Sequence, residues 1–207
     1  MLIHPWDQAT RDEWAGVLAR HDFGQLVTGG HVDGFPVVVP THFLYDGAET
    51  VLLHLARPNP AWRAIEADPH VVLALAVDYA YVEAAWNADP GTDPDLGVPT
   101  SYYTGIQLLC TAEVVDDPDD KSDILARQLA HFEPAGSTRV RPSTDVESDR
   151  RLLPGIRGLR LHVGSVRAKM KYGGNKTSEH RAAIAGRLAA RGGPLDGAAR
   201  ERLLRRD

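Results

Sequence analysis

The sequence lacks most of the features by which a function is assigned from residues alone. Its one cysteine, Cys110, excludes an internal disulfide framework and indicates a reducing compartment. Cys110 lies in an apolar stretch, so a packed core thiol is the first interpretation and a catalytic thiol is the alternative. No apolar run approaches the roughly 18 residues of a transmembrane helix, and the first residues do not form a signal peptide. We therefore expect a cytoplasmic protein without a membrane partner.

Catalytic and metal-binding motifs are also missing. The nine histidines form no H-x-x-x-H or H-E-x-x-H pair, and no G-x-S-x-G or Walker A sequence occurs. His42 and His54 can face each other on neighbouring strands, but a third metal donor is not identifiable. The sequence therefore predicts no metal site and no hydrolase activity, and its catalytic residues stay unknown.

Acidic and basic residues are divided unequally along the chain. The net charge of −5 combines 24 acidic and 10 basic residues in positions 1–156 with 4 acidic and 13 basic residues in positions 157–207. A basic C-terminal quarter suits a phosphorylated ligand or nucleic acid. It equally suits an acidic surface of the same protein or of a partner subunit.

The order of turns and apolar segments predicts an antiparallel α+β fold. Asp33-Gly34 and Asp46-Gly47 are hairpin signals between β-branched segments. Strands are predicted at residues 23–28, 36–45, 50–56, 71–77, 79–82, 102–115 and 159–166. Helices are predicted at about residues 10–20, 60–67, 119–132, 177–191 and 195–205, whereas 133–149 is expected to be irregular. Six or seven antiparallel strands with peripheral helices fit a closed or split β-barrel.

Two stretches carry residues suited to an anion. In residues 51–63 an apolar strand delivers His54 and Arg57 to its end, and Pro58-Asn59-Pro60 then starts a short helix. This pattern is typical of an anion pocket, and equally of an ordinary strand–turn–helix with Asn59 as the N-cap. In residues 166–176 basic side chains alternate along a strand and are followed by two glycines, which suits a phosphate dianion or a solvated strand end.

Six blocks of sequence, taken in order, resemble the PaiB-like family of FMN-binding split barrels, which are related to pyridoxamine-phosphate oxidases. The blocks are F-G-Q-L-V-T, H-L-A-R-P-N-P-A-W, A-Y-V-E-A-A-W, P-T-S-Y-Y, L-P-G-I-R-G-L-R-L-H-V and the segment from Lys169 to Lys176. The resemblance covers nearly the whole chain. It implies an antiparallel split β-barrel in a single domain of residues 1–207, with a basic helical extension from about residue 177.

The resemblance further implies a homodimer that binds FMN at the subunit interface. By position, Thr41 and His42 would border the isoalloxazine ring. The residues expected near the ribityl-phosphate side are His54, Ala56, Arg57, Asn59 and Trp62. Three more, Tyr103, Lys169 and Asn175, are expected from the other subunit or from the closing strand.

Three functions remain open at this point. The first is a flavin-binding protein that acts as a flavin-dependent oxidoreductase of a small molecule, and whether it is an enzyme at all stays undecided. The second is a PaiB-like transcriptional regulator whose DNA or partner binding is tuned by flavin. Its phosphate contacts would come from the arginine-rich end, which comprises Arg187, Arg191, Arg200, Arg202, Arg205 and Arg206. The third is a barrel that binds haem, with His42 or His54 as the ligand, or a deazaflavin.

Overall fold

The computed structural model describes residues 1–139 and 142–205. It contains both β-strands and α-helices, which are interspersed along the chain. The strands are β1 (Phe23–Val32), β2 (Phe35–His42), β3 (Leu44–Tyr45), β4 (Thr50–Ala56), β5 (His70–Val82), β6 (Thr100–Val115) and β7 (Ile156–Lys171). The helices are α1 (Arg11–Leu18), α2 (Ala61–Ala67), α3 (Ala84–Asn87), α4 (Pro118–Phe132), α5 (Glu147–Leu152), α6 (Ser178–Arg191) and α7 (Asp196–Leu204).

Within the described residues, the seven strands form one sheet in the order β2-β1-β5-β6-β7-β4-β3. Strand β1 pairs antiparallel with β2 and β5, and β4 pairs antiparallel with β3 and β7. The β4–β7 register is unbroken, from Thr50 opposite His162 to Ala56 opposite Ile156. The predicted class, α+β with an antiparallel split-barrel sheet of six or seven strands and peripheral helices, is confirmed.

The Asp33-Gly34 turn forms the β1–β2 hairpin that the sequence predicts. Asp33 has φ 53° and Gly34 has φ 84°, which is the left-handed backbone that a two-residue type I′ turn requires. Pairing on both sides of this turn extends β1 to Val32, beyond the predicted end at residue 28. The register shifts between Val27 and His31, where two glycines interrupt the alternation from which the strand was predicted.

Four other predicted boundaries are wrong. The strand predicted at residues 36–45 is divided into β2, which pairs with β1, and the short β3, which pairs with β4. The segments 71–77 and 79–82 are one strand, β5, which continues through Asp78 although that residue has the left-handed φ of 54°. The predicted strand 159–166 and the basic segment after it are also continuous, as β7. Helix α5 begins at Glu147, inside the segment predicted to be irregular; residues 140 and 141 of that segment lie outside the described residues.

The chain divides into two compact units, each with its own core. The inner unit comprises Ala15–Ala74 and Gln107–Val166, and the terminal unit comprises Met1–Trp14, Leu75–Ile106 and the described residues from Arg167 onward. The fully buried side chains of the inner unit include Leu26, Phe43, Leu53, Leu73, Leu108 and Leu159. Those of the terminal unit include Tyr102, Ile106, Tyr172, Ile184, Leu188 and Leu203. Among the described residues, no helix has both the length and the apolar character needed to cross a bilayer.

A glycine allows helix α4 to lie close to strand β7 in the inner unit. Ile124 of α4 packs in a buried cluster with Leu52 and Val115. A Cβ atom added at Gly158 would lie 2.8 Å from Cδ1 of Ile124 and 3.2 Å from Cβ of Val115. The absence of a side chain at residue 158 therefore allows the helix to approach the sheet closely.

Candidate functional site

The ten predicted binding residues are divided between the two units. Seven belong to the inner unit: Thr41, His42, His54, Ala56, Arg57, Asn59 and Trp62. Three belong to the terminal unit: Tyr103, Lys169 and Asn175. Each group is described within its own unit.

An apolar cleft in the inner unit brings His42 and His54 together. His42 ends strand β2 and His54 lies on β4, and their ring centroids are 5.4 Å apart. Phe132 of α4 contacts the His42 ring edge-to-face at 5.0 Å. The cleft has a volume of about 420 Å³, and its walls are Asp22, Phe23, His42, His54, Leu125, Gln128, Leu129 and Phe132. Thr41 precedes His42 in β2 and is buried, and its hydroxyl donates to the carbonyl oxygen of His42 at 3.0 Å.

The tautomer of His54 is fixed by Gln128. Nδ1 of His54 lies 2.7 Å from Oε1 of Gln128, and because an amide oxygen only accepts, Nδ1 carries the hydrogen. Nε2 of neutral His54 therefore keeps its lone pair. Partial burial, together with the neighbouring His54, lowers the pKa of His42. The lowered pKa favours the neutral form of the His42 ring.

The turn after β4 satisfies its own hydrogen-bonding groups. Oδ1 of Asn59 accepts from the N–H of Ala61 at 2.9 Å, and the indole N–H of Trp62 donates to the carbonyl oxygen of Ala56 at 2.9 Å. Pro60 occupies the N-cap position of α2, which is where Asn59 was expected. Asn59 nevertheless caps the first helical amide with its side chain. Within the described residues, this segment has the geometry of an ordinary strand–turn–helix.

Arg57 already has an anionic partner. Its guanidinium bonds both carboxylate oxygens of Asp116, at 3.1 and 2.5 Å, and its Nε donates to the carbonyl oxygen of Pro154 at 2.6 Å. Lys121 and Arg157 also lie within 3.5 Å of this carboxylate. The hydrogen bond from Arg57 lowers the pKa of Asp116 below its usual value. An incoming phosphate would therefore compete with Asp116 for Arg57.

Lys169 and Tyr103 lie together in the terminal unit. Nζ of Lys169 lies 5.9 Å from the centroid of the Tyr103 ring. This lysine is only 7% exposed, donates to the carbonyl oxygen of Leu2 at 3.0 Å and lies 3.6 Å from a carboxylate oxygen of Asp7. One of the alternating basic side chains predicted in residues 166–176 is thus partly neutralised by the N-terminal segment.

Asn175, the third predicted residue of the terminal unit, lines a polar pocket of about 230 Å³. The pocket residues are His4, Trp6, Asp7, Asn87, Thr100, Tyr102, Lys171, Gly173, Asn175 and Lys176. Lys171 and Lys176 belong to the basic segment noted in the sequence, but they are absent from the predicted binding set. The sequence pattern that could have identified Lys171 as a pocket residue is the alternation of basic side chains at positions 167, 169 and 171. No pattern among neighbouring residues indicates that Asn87 or the N-terminal residues line this pocket.

Cys110 is a core residue. Its thiol is buried, and burial raises its pKa to about 12. Its burial is what the packed-thiol interpretation predicts, and the raised pKa disfavours the thiolate that a nucleophilic cysteine needs. Among the described residues, no group of three His, Cys, Asp or Glu side chains is placed to hold a metal ion.

Comparisons with known proteins agree with this fold. Residues 1–165 match the family model described as "Putative FMN-binding domain". The FAD and haem binding protein from Mycobacterium smegmatis is 21% identical, with 86% of this chain and 80% of that chain covered and a TM-score of 0.62.

Two further solved structures share the fold. The flavocytochrome Anf3 from Azotobacter vinelandii is 18% identical over 82% of this chain and 75% of that chain, with a TM-score of 0.58. A conserved hypothetical protein from Mycobacterium tuberculosis is 15% identical over 82% of this chain and 90% of that chain, with a TM-score of 0.56. No curated protein matches the chain significantly. At these identities the structural likeness shows the fold alone.

Proposed function

The chain belongs to this family of FMN-binding domains, and on that premise we propose that it is a homodimeric FMN-binding protein that acts as a flavin-dependent oxidoreductase of a small molecule. The family match over residues 1–165 carries the proposal. The predicted α+β split-barrel fold supports it as well. The bound flavin would supply the redox chemistry, and the protein would bind and orient it.

The cleft of the inner unit supports the binding of a flat ring system. Its volume of about 420 Å³ falls within the roughly 300–1,000 Å³ of small-molecule pockets. Its walls are mainly apolar and aromatic and include His42, which we propose borders the isoalloxazine together with Thr41. The remaining proposed contacts are His54, Ala56, Arg57, Asn59 and Trp62 on the ribityl-phosphate side, with Tyr103, Lys169 and Asn175 from the other subunit or from the closing strand.

The absorbance spectrum of the purified protein, with and without added FMN, tests the proposal. We expect flavin bands that persist through gel filtration, and a rise in melting temperature on FMN addition because a ligand that binds only the folded state stabilises it. Light scattering should give twice the 22.6 kDa mass of the chain. Colourless protein that gains neither absorbance nor stability with FMN would contradict flavin binding, and the same spectrum separates FMN from a deazaflavin.

Haem is a second candidate, and His54 is the observation that favours it. Metal-ligating histidines commonly donate their other ring N–H to an oxygen acceptor, and Gln128 accepts such a bond from Nδ1 of His54. Titration with hemin should produce a sharp Soret band if His54 is a ligand. His54→Ala should abolish that band, whereas Gln128→Leu should weaken it. An unchanged Soret band in His54→Ala would exclude this ligand.

DNA binding receives less support from the arginine-rich end. Arg191 is paired with Asp196 at 2.7 Å and Arg202 with Asp78 at 2.9 Å, while Arg206 lies outside the described residues. Arg187 and Arg200 are exposed and are the side chains to test. Replacing both by glutamine should reduce salt-dependent DNA binding if the chain is a regulator.

A further inference from the structure

The polar pocket of the terminal unit contains two buried polar atoms that lack a partner among the described residues. They are the hydroxyl of Tyr102 and Oδ1 of Asn87. Tyr102 is only 2% exposed, and the side-chain nitrogen of Asn87 is already committed to the carbonyl oxygen of Val98 at 2.6 Å. Buried polar groups are usually paired, so a donor and an acceptor in one pocket indicate a ligand that supplies both counterparts.

Two lysines give this pocket a positive charge. Nζ of Lys171 donates to the hydroxyl oxygen of Thr100 at 2.6 Å, which uses one of its three hydrogens. Nζ of Lys176 donates to the carbonyl oxygen of Asn87 at 3.2 Å. The carboxylate of the pocket belongs to Asp7, and Lys169 lies 3.6 Å from it. Lys176 also lies 3.9 Å from the carboxylate of Asp89, which is exposed to solvent. With Asp7 offset by Lys169, Lys171 and Lys176 are the cations that the pocket offers to an anion, and Asp89 competes for Lys176.

The size of the pocket limits the ligand. A volume of about 230 Å³ is below the roughly 300–1,000 Å³ of sites that enclose a drug-sized molecule. A phosphate on a short hydroxylated carbon chain fits such a space, whereas a tricyclic ring does not. Burial raises the pKa of Tyr102 to about 12, so its hydroxyl stays a hydrogen-bond donor at neutral pH.

We propose that the polar pocket binds a phosphate monoester, with Lys171 and Lys176 on the dianion, the Tyr102 hydroxyl donating to a phosphate oxygen and Oδ1 of Asn87 accepting from a ligand hydroxyl. Two cations with additional donors are the usual complement of a phosphate dianion. The ester has two sources, a separate small phosphate ester or the 5′-phosphate of FMN, which would then lie in this pocket instead of beside Arg57, whose guanidinium is already paired with Asp116. Only the second source rests on the proposed function.

Calorimetric titrations with FMN, riboflavin and glycerol 3-phosphate test the site in the full-length protein. If FMN supplies the phosphate, we expect it to bind at least tenfold more tightly than riboflavin. Lys171→Met and Lys176→Met should each weaken FMN binding about tenfold and leave riboflavin binding unchanged. Tyr102→Phe keeps the ring and should weaken FMN binding severalfold. Arg187→Met, which removes an exposed cation of the same unit, is the matched control and should bind FMN like the wild type.

The titrations separate the two sources and the two ways to fail. Equal binding of FMN and riboflavin, together with glycerol 3-phosphate binding that the lysine variants lose, assigns the pocket to a separate phosphate ester. Glycerol 3-phosphate binding without any flavin binding overturns the proposed function and leaves this inference intact. Two results overturn the inference. In the first, FMN and riboflavin bind equally well and glycerol 3-phosphate does not bind. In the second, both lysine variants are folded and still bind the phosphate group as the wild type does. Melting temperatures identify folded variants, and Lys171→Arg, which keeps the charge, should retain phosphate binding.

Discussion

Lys121 is a buried cation whose partners are mostly backbone. It is 3% exposed, and its Nζ donates to the carbonyl oxygens of Leu153 and Ile156 at 3.0 and 3.3 Å. Lys121→Met keeps a long, unbranched side chain but leaves these carbonyl groups without their hydrogen-bond donor. We expect it to lower the free energy of unfolding by about 2–3 kcal/mol, because each unsatisfied buried polar group costs about 1–3 kcal/mol.

Urea denaturation followed by circular dichroism measures this loss. Arg63→Met is the matched control, since Arg63 is an exposed cation on α2 of the same unit, and surface substitutions usually change stability by less than about 0.5 kcal/mol. Equal losses in the two variants would show that the hydrogen bonds of Lys121 do not stabilise the fold.

His42 makes stability depend on pH. Partial burial, followed by the charge of His54, lowers the pKa of His42 from its ordinary 6.5, and Asp22 opposes the shift. As the pH falls below 6.5, the unfolded chain therefore takes up a proton that folded His42 resists, so stability decreases until the pH reaches the folded pKa. His42→Asn should lose less stability than the wild type between pH 7 and pH 5. Urea midpoints across this range measure the difference, and parallel pH profiles would contradict it.

At the scale of elements, the contact between α4 and β7 depends on residue 158. Gly158→Ala places a methyl group 2.8 Å from Cδ1 of Ile124, and overpacking of this kind typically costs about 1–3 kcal/mol. Ile124→Val removes that Cδ1 atom, and by itself should cost about 0.5–1.5 kcal/mol. We expect the double variant to be more stable than the sum of the two single effects indicates.

A double-mutant cycle by chemical denaturation tests this coupling. Both single variants serve as references for the double variant, since each retains one side of the contact. Strictly additive losses would show that Ile124 and residue 158 do not compete for space, and that Val115 alone resists the new methyl group.

Within each compact unit, basic residues of the C-terminal quarter form ion pairs with acidic residues from earlier in the chain. In the inner unit Arg157 pairs with Glu66 at 2.7 Å and Arg160 with Glu113 at 2.6 Å. In the terminal unit Arg202 pairs with Asp78 at 2.9 Å. Basic residues of the C-terminal quarter thus lie on acidic side chains of the same chain, which was one of the two interpretations of the charge division. This pairing reduces the charge available to nucleic acid.

The last two helices are part of a core, although the family match ends at residue 165. Ile184 and Leu188 of α6 and Leu203 of α7 are fully buried within the terminal unit. We propose that residues 1–207 fold as one cooperative domain. A chain that ends at Lys176 should expose these apolar side chains and melt at least 5 °C lower, because a loss of 1 kcal/mol shifts the melting temperature of such a domain by about 2–4 °C. Scanning calorimetry measures the shift, and an unchanged melting temperature would make the helices a separate extension.

The sequence by itself determined those features that depend on neighbouring residues. The hairpin at Asp33-Gly34, the side-chain cap at Asn59 and the limits of β4 follow from turn chemistry and from apolar alternation within a few positions. The family resemblance followed from six local blocks in order. His42 and His54 do face each other, with ring centroids 5.4 Å apart, but the prediction that they lie on neighbouring strands is wrong, because β2 pairs with β1 and β4 pairs with β3 and β7.

Only the tertiary structure decided which charges are available to a ligand. Arg57 is neutralised by Asp116, 59 residues away, and Lys169 is held by Leu2, 167 residues away. The polar pocket joins His4, Asn87 and Lys171 from three distant segments. No local pattern encodes such contacts, because they depend on the order of strands in the sheet and on which side chains the folded backbone brings within a few ångströms.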